Sequence, residues 1–184
     1  LHKARTVSHD EWQAAQPTVK FAAAKTYAVP APAAAAAFKV SGALEGESLP
    51  VIKASAGAAK TQNMASFKAG KWSGGSQLFW SGAKPGDRLT LKLSVPSDGT
   101  YDLTGALTKA RDYAIVELQL DGKTLGHPLD LYSPAVITTG ELSFGQRQLT
   151  AGDHQLSIAI TGANPAAARS HLVGIDYIRL IPRK

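Results

Sequence analysis

The sequence predicts an all-β fold, a β-sandwich or jelly roll, from about residue 41 to the C-terminus. Three features carry this: runs in which apolar and polar residues alternate, turn signals placed between those runs, and almost no helical periodicity there.

Residues 1–40 read differently. Ser8-His9-Asp10-Glu11 fits a capping box, with Ser8 as N-cap and Glu11 reaching back, opening a short helix that Pro17 stops after Gln16. Thr18 to Tyr27 reads as extended. Val29-Pro30-Ala31-Pro32 and the five alanines after it have the composition of a semi-rigid linker. The alternative is a terminal strap packed on the domain. Residues 1–40 are thus expected to be strap and linker, and residues 41–184 the sandwich.

Within the sandwich, Leu89, Leu91, Leu93 and Val95 alternate with polar residues, the mark of a half-buried strand. Tyr101, Leu103 and Leu107 repeat the pattern with Gly105 in step. So do Val116, Leu118 and Leu120, and then Leu156, Ile158 and Ile160. Lys84-Pro85-Gly86-Asp87, Pro96-Ser97-Asp98-Gly99, Asp121-Gly122 and Ala151-Gly152-Asp153 separate these runs. Asp121-Gly122 is a hairpin signal, because both central positions of that turn need positive φ.

Composition removes several function classes. No apolar run is long enough to cross a bilayer. With no cysteine, disulfides, Cys-based zinc sites and a thiol nucleophile are excluded. The net charge of +6 suits an anionic partner, but the basic residues are scattered and no nucleic-acid motif accompanies them. No Gly-x-Ser-x-Gly elbow, His-Glu-x-x-His, P-loop or dinucleotide fingerprint occurs. The chain therefore reads as non-catalytic. Beginning at Leu1, it also reads as a fragment or processed product of a larger protein.

Two acidic spots fall on apolar rows. Glu45 and Glu47 are expected to share a strand face with Leu49 and Val51, and Asp176 to share one with Ile178 and Leu180. A carboxylate on a core-facing row must be paired, hydrogen-bonded or bound to a cation. Oxygen donors favour calcium over zinc. The alternative is that these acids sit at strand ends in water, or pair with Lys53 or Arg179.

The order of several segments resembles carbohydrate-binding modules of families 6 and 35. Leu44-Glu45-Gly46-Glu47, Trp72-Ser73-Gly74-Gly75 and Pro96-Ser97-Asp98-Gly99-Thr100-Tyr101 are similar to the opening half. Leu120-Asp121-Gly122-Lys123 and Leu149-Thr150-Ala151-Gly152-Asp153-His154 continue it. Gly174-Ile175-Asp176-Tyr177-Ile178-Arg179-Leu180 closes it. Residues 107–113, with Asp130-Leu131-Tyr132 and Gly162-Ala163-Asn164-Pro165, are similar to modules that trail bacterial proteins of the glycoside hydrolase family 172 type.

The resemblance implies a galactose-binding-like jelly roll in a secreted or periplasmic bacterial protein. Its expected partners are a polysaccharide or oligosaccharide and a catalytic domain on the parent chain, with no nucleic acid and no membrane. It also implies a structural Ca²⁺ at Glu45, Glu47 and Asp176. Gly46 stands where alanine is usual, a change that a strand would tolerate.

A sugar offers an apolar face and a rim of hydroxyls, so its site needs an aromatic and a few polar groups. Family resemblance puts that site at the loop end. The candidates there are Trp72, Lys109, Arg111, Asp112, Tyr113 and Asn164, with Arg111 able to meet a carboxylate in bidentate fashion. Each has a structural alternative. Trp72 can be a core residue, Tyr113 can open a strand, Arg111 and Asp112 can pair with each other, and Asn164-Pro165 is a common turn. The competing function is a docking or oligomerisation module with no sugar contact. It would show an exposed apolar sheet face instead.

Overall fold

A computed structural model describes residues 38–183. The expected helix at residues 8–16 and nearly all of the expected linker lie outside them. The described chain forms thirteen strands: β1 (Ala43–Glu45), β2 (Val51–Ala54), β3 (Ala58–Asn63), β4 (Ser76–Ser81), β5 (Arg88–Val95), β6 (Gly99–Lys109), β7 (Ala114–Leu120), β8 (Lys123–Thr124), β9 (Leu129–Asp130), β10 (Ile137–Thr138), β11 (Leu142–Leu149), β12 (Gly152–Ala163) and β13 (Val173–Pro182).

These make two antiparallel sheets. One has the order β10-β6-β13-β4-β3, with β11 also beside β6 and β1 beside β13. The other runs β2-β5-β12-β7-β8, with β9 also on β7. The core lies between them. Leu89, Leu91, Leu93, Val116, Leu118, Leu156, Ile158 and Ile160 face in from the second sheet, and Leu78, Trp80, Leu103, Leu107, Val173 and Ile178 from the first. The four alternating runs read from sequence are β5, β6, β7 and β12. The fold is the expected jelly-roll β-sandwich.

The Asp121-Gly122 turn forms as expected, with φ of 49° and 77°. His154 pins it by bonding Asp121 through Nδ1 (2.6 Å) and the Thr150 carbonyl through Nε2 (2.9 Å).

Strand pairing around β13 sets the place of the acidic residues. One edge of β13 pairs with β6. Its other edge is shared end to end: β4 takes Val173–Ile175 and β1 takes Tyr177–Arg179. Asp176 falls at the junction, and there the register with β6 slips, because Ile175 opposes Leu107 while Tyr177 opposes Ala106. Asp176 is the extra residue of a β-bulge, a device that re-aims a side chain. The expectation that it shares a face with Ile178 and Leu180 is therefore corrected.

The first acidic spot is also built differently from the expectation. β1 stops at Glu45, and residues 46–48 form a 3-10 turn, so Glu45, Glu47, Leu49 and Val51 do not line one strand face. Val51 is exposed and belongs to a different strand in the other sheet.

Candidate functional site

The first site element is a buried carboxylate cluster on the outer side of the first sheet. Ser73 is its hub. The Ser73 backbone N–H donates to Asp176 Oδ1 (2.9 Å), its hydroxyl donates to Glu45 Oε1 (2.9 Å), and it accepts the Val40 N–H (3.0 Å). The Phe38 carbonyl accepts the Gly74 N–H (2.9 Å), so residues 38–40, the last of the expected linker, are tied to the same turn.

Glu45 Oε2 and Glu47 Oε2 are buried without a hydrogen-bond partner. Burial is the main cause that pushes Asp176, only 1% exposed, up to about 7, with the charges of Glu45 and Glu47 adding to it. Burial likewise raises Glu47, its own backbone hydrogen bond opposes this, and Glu45 adds to the rise.

Sequence reasoning grouped these three acids, and the fold brings them near one another: Ser73 bonds both Asp176 and Glu45, and a Cβ at Gly74 would lie 3.6 Å from the carboxyl groups of both Glu45 and Glu47. They do not form a closed cage, for no metal-binding group of three or more His, Cys, Asp or Glu is assembled among the described residues. The orphaned oxygens still fit a hard cation in donor type and charge, since an unpaired buried carboxylate is costly.

Gly46 has a stricter role than a strand position would give it. It is buried in the 3-10 turn, and a Cβ there would run into the Ile175 carbonyl of β13. Gly46→Ala is expected to overpack this contact by about 1–3 kcal/mol. It should lower the melting temperature by roughly 2–12 °C, read in a thermal melt of the variant. An unchanged melt would mean that the turn stands off β13.

The second element is a pocket of about 230 Å³ lined by Gln62, Met64, Phe67, Phe79, Ala110, Arg111, Asp112, Tyr113, Val136 and Leu172. Its walls come from the end of β3 and the loop after it, from β4, from the β6–β7 turn, and from the segments before β10 and β13. The turn is fixed by its backbone. The Arg111 carbonyl accepts the Ala168 N–H (2.8 Å) and the Asp112 carbonyl the Leu172 N–H (3.1 Å), while the Arg111 side chain stays exposed.

Below the pocket runs a buried polar chain. Trp72 Nε1 donates to Thr108 Oγ1 (2.8 Å), and the Thr108 hydroxyl donates to Gln77 Oε1. Gln77 Nε2 donates to Gln62 Oε1 (2.7 Å) and to the Tyr113 hydroxyl (3.2 Å). Burial pushes the Tyr113 phenol up to about 12 despite the Gln77 hydrogen bond, so it stays protonated at neutral pH. Gly174 leaves room for the Gln77 amide, which a Cβ would strike.

Of the six expected sugar contacts, the fold gathers Arg111, Asp112 and Tyr113 and leaves out the others. Trp72 is 3% exposed, with its indole N–H satisfied inside, so its ring is no open platform. Lys109 sits in β6 opposite Ile137. Asn164 closes a turn, giving Nδ2 to Asp130 Oδ2 (2.5 Å) and accepting the Ala166 N–H (2.9 Å). Phe67 and Phe79 supply the aromatic wall instead. Phe67 had a signal in sequence, as an aromatic in a polar, Gly- and Lys-containing loop. Gln62, Met64, Val136 and Leu172 had none.

No family model matches the chain, and no curated protein matches it by sequence. Solved structures do match. A Paenibacillus xanthan lyase is 22% identical with a TM-score of 0.65, over 79% of this chain and 14% of that one. A Paenibacillus sp. cycloisomaltooligosaccharide glucanotransferase, in complex with cycloisomaltoheptaose, is 20% identical with a TM-score of 0.50, over 75% and 18%. A family 35 carbohydrate-binding module from Clostridium thermocellum is 13% identical with a TM-score of 0.48, over 77% and 97%. The chain thus spans less than a fifth of the first two proteins. What it shares with them is the fold, a jelly-roll β-sandwich.

Proposed function

We propose that this domain is a non-catalytic carbohydrate-binding module that holds a larger glycan-processing protein on its polysaccharide. The observation that carries the reading is the pocket. Two phenylalanine rings and a methionine face a rim of one guanidinium and one carboxylate, the mixture of apolar surface and few polar groups that a sugar ring requires. The occurrence of the same fold within a xanthan lyase and a glucanotransferase supports it.

The docking alternative draws less support. Among the described residues the exposed large apolar ones are Phe38, Leu44, Val51 and Ile52, not a broad sheet face. The outer face of the second sheet carries polar pairs such as Thr90 with Ser157 and Arg88 with Gln119.

Isothermal titration of the full chain against neutral and uronic oligosaccharides tests the reading. Binding is expected, with Phe67→Ala and Arg111→Ala each weakening it about tenfold or more, and with the melt of Arg111→Ala, whose side chain is exposed, changing little. If no saccharide binds, or both variants bind as the parent does, the site is wrong.

The same reading assigns a structural calcium ion to Glu45, Glu47 and Asp176. It also places the parent protein outside the cytoplasm, in the periplasm or medium of a bacterium, as modules of the glycoside hydrolase family 172 type would be. Recovery of the native parent protein only in the cytosolic fraction would overturn that address.

A further inference from the structure

We propose that the pocket receives a single glycosyl residue that carries a methyl group, as a 6-deoxy or an acetyl substituent. This rests on the glycan-binding role proposed for the domain and sharpens it.

Size comes first. At about 230 Å³ the pocket is smaller than the roughly 300–1,000 Å³ typical of drug-sized ligands, which suits one sugar ring and not a chain threaded through it. Charge is gathered in one turn. Arg111 and Asp112 are consecutive, and they are the charged groups of the lining. Gln62 and Tyr113 spend part of their hydrogen-bonding capacity on Gln77 beneath them. The remaining wall is Met64, Phe67, Phe79, Ala110, Val136 and Leu172, which offers a hydroxyl no partner.

A plain hexose carries hydroxyls around its whole ring. Placing some against Arg111 and Asp112 strands others against this wall, where an unpaired polar group weakens binding. A ring whose far edge ends in a methyl group has the matching asymmetry. Pockets of this kind separate ligands differing by one such group by about 10- to 200-fold.

The chain contains its own reporter. Met64 is the single methionine of the sequence and sits 3% exposed in the pocket wall, so methyl-labelled methionine yields one NMR signal from this site. The full chain is titrated with matched reducing sugars: 6-deoxygalactose against galactose, 6-deoxymannose against mannose, and N-acetylglucosamine against glucose.

In at least one pair the methyl-bearing member is expected to bind about tenfold or more tightly and to move the Met64 signal. The pair that responds tells a deoxy from an acetyl substituent. Val136→Thr keeps the shape but exchanges a wall methyl for a hydroxyl, and is expected to shrink that preference at least threefold. If saccharides move the Met64 signal but every pair binds equally within twofold, the methyl proposal is overturned and the glycan reading stands. If no saccharide, oligosaccharides included, moves the signal or gives heat, both fall.

Discussion

Trp72→Ala is expected to lower the melting temperature by roughly 6–20 °C. The indole is 3% exposed and tilted against Phe67, with ring centroids 6.2 Å apart and an interplanar angle of 57°. Removing a buried tryptophan costs about 3–5 kcal/mol in lost transfer energy and residual cavity. In a domain of this size each kcal/mol is about 2–4 °C. Thr108 also loses the donor that caps it, and the polar chain through Gln77 to Tyr113 loosens from its far end.

Trp72→Phe separates packing from the hydrogen bond. It retains most of the apolar volume and is expected to melt about 2–6 °C below the parent, for about 1–1.5 kcal/mol, with saccharide affinity preserved within about threefold. A full loss of binding in Trp72→Phe at an unchanged melt would make the indole a sugar platform after all.

The second large effect concerns the carboxylate cluster, and its sign depends on pH. In the metal-free protein Asp176 titrates at about 7 in the fold, against an ordinary 3.8. The folded state therefore holds the proton more tightly. The stability this group contributes is complete below about pH 4, declines as pH rises, and is lost once pH passes 7. The calcium ion proposed for the cluster would take the ionised form. Its stabilising increment is then expected to be small near pH 5 and largest above pH 7, where an ion at one hundred times its dissociation constant would add about 2.7 kcal/mol, or roughly 5–11 °C.

Asp176→Asn isolates this. The amide oxygen still accepts the Ser73 N–H, but the charge is gone. In chelator at pH 8 the variant is expected to melt at or above the parent, and calcium should leave it unmoved. Differential scanning with and without chelator at pH 5 and pH 8 reads both. An equal calcium shift in parent and variant would remove the ion from this cluster.

The same comparison subtracts other titrations. Asp87, Asp121, Glu141 and Asp153 are held below the ordinary carboxylate range, so their stability is lost only as pH falls below about 4. For Asp121 burial is the largest single influence and opposes the fall, which comes from the combined hydrogen bonds and charges around it. His154 is raised, chiefly by Asp121, so its contribution fades as pH climbs past 6.5 and is lost through its own folded value.

The strands that were legible in the sequence are those with one wet and one dry face. β5, β7 and β12 alternate because burial imposes a period of two on side chains. β3 (Ala58–Asn63) was not legible, being a mostly exposed edge strand of small and polar residues that buries too little to leave a pattern. β11 was hidden by Gly145 and by its own register slip between Ser143 and Gln146.

At the site, charges near a turn were readable: Arg111 and Asp112 reached the pocket. Trp72, Lys109 and Asn164 did not: Trp72 is covered by what packs over it, Lys109 lies in β6 opposite Ile137, and Asn164 is spent on a turn. A loop crossing the sheet's outer face covers Trp72, and nothing local in Trp72-Ser73-Gly74-Gly75 announces it.

The slip at Asp176 reaches further than one redirected side chain. Ile175 and Ile178 are three apart, an odd spacing, and yet both enter the same interior. The strand changes step between them, so either half, extended regularly across that point, would turn the other half's apolar residues out to water. The acid stands where the step changes. Were the bulge ironed out with Asp176 kept in line, half the strand would be inverted, whereas removing Asp176 would leave Ile175 and Ile178 two apart and in step. The acid is thus the residue that the bulge accommodates, and the acidic spot and the interior of the sandwich meet at the same irregularity.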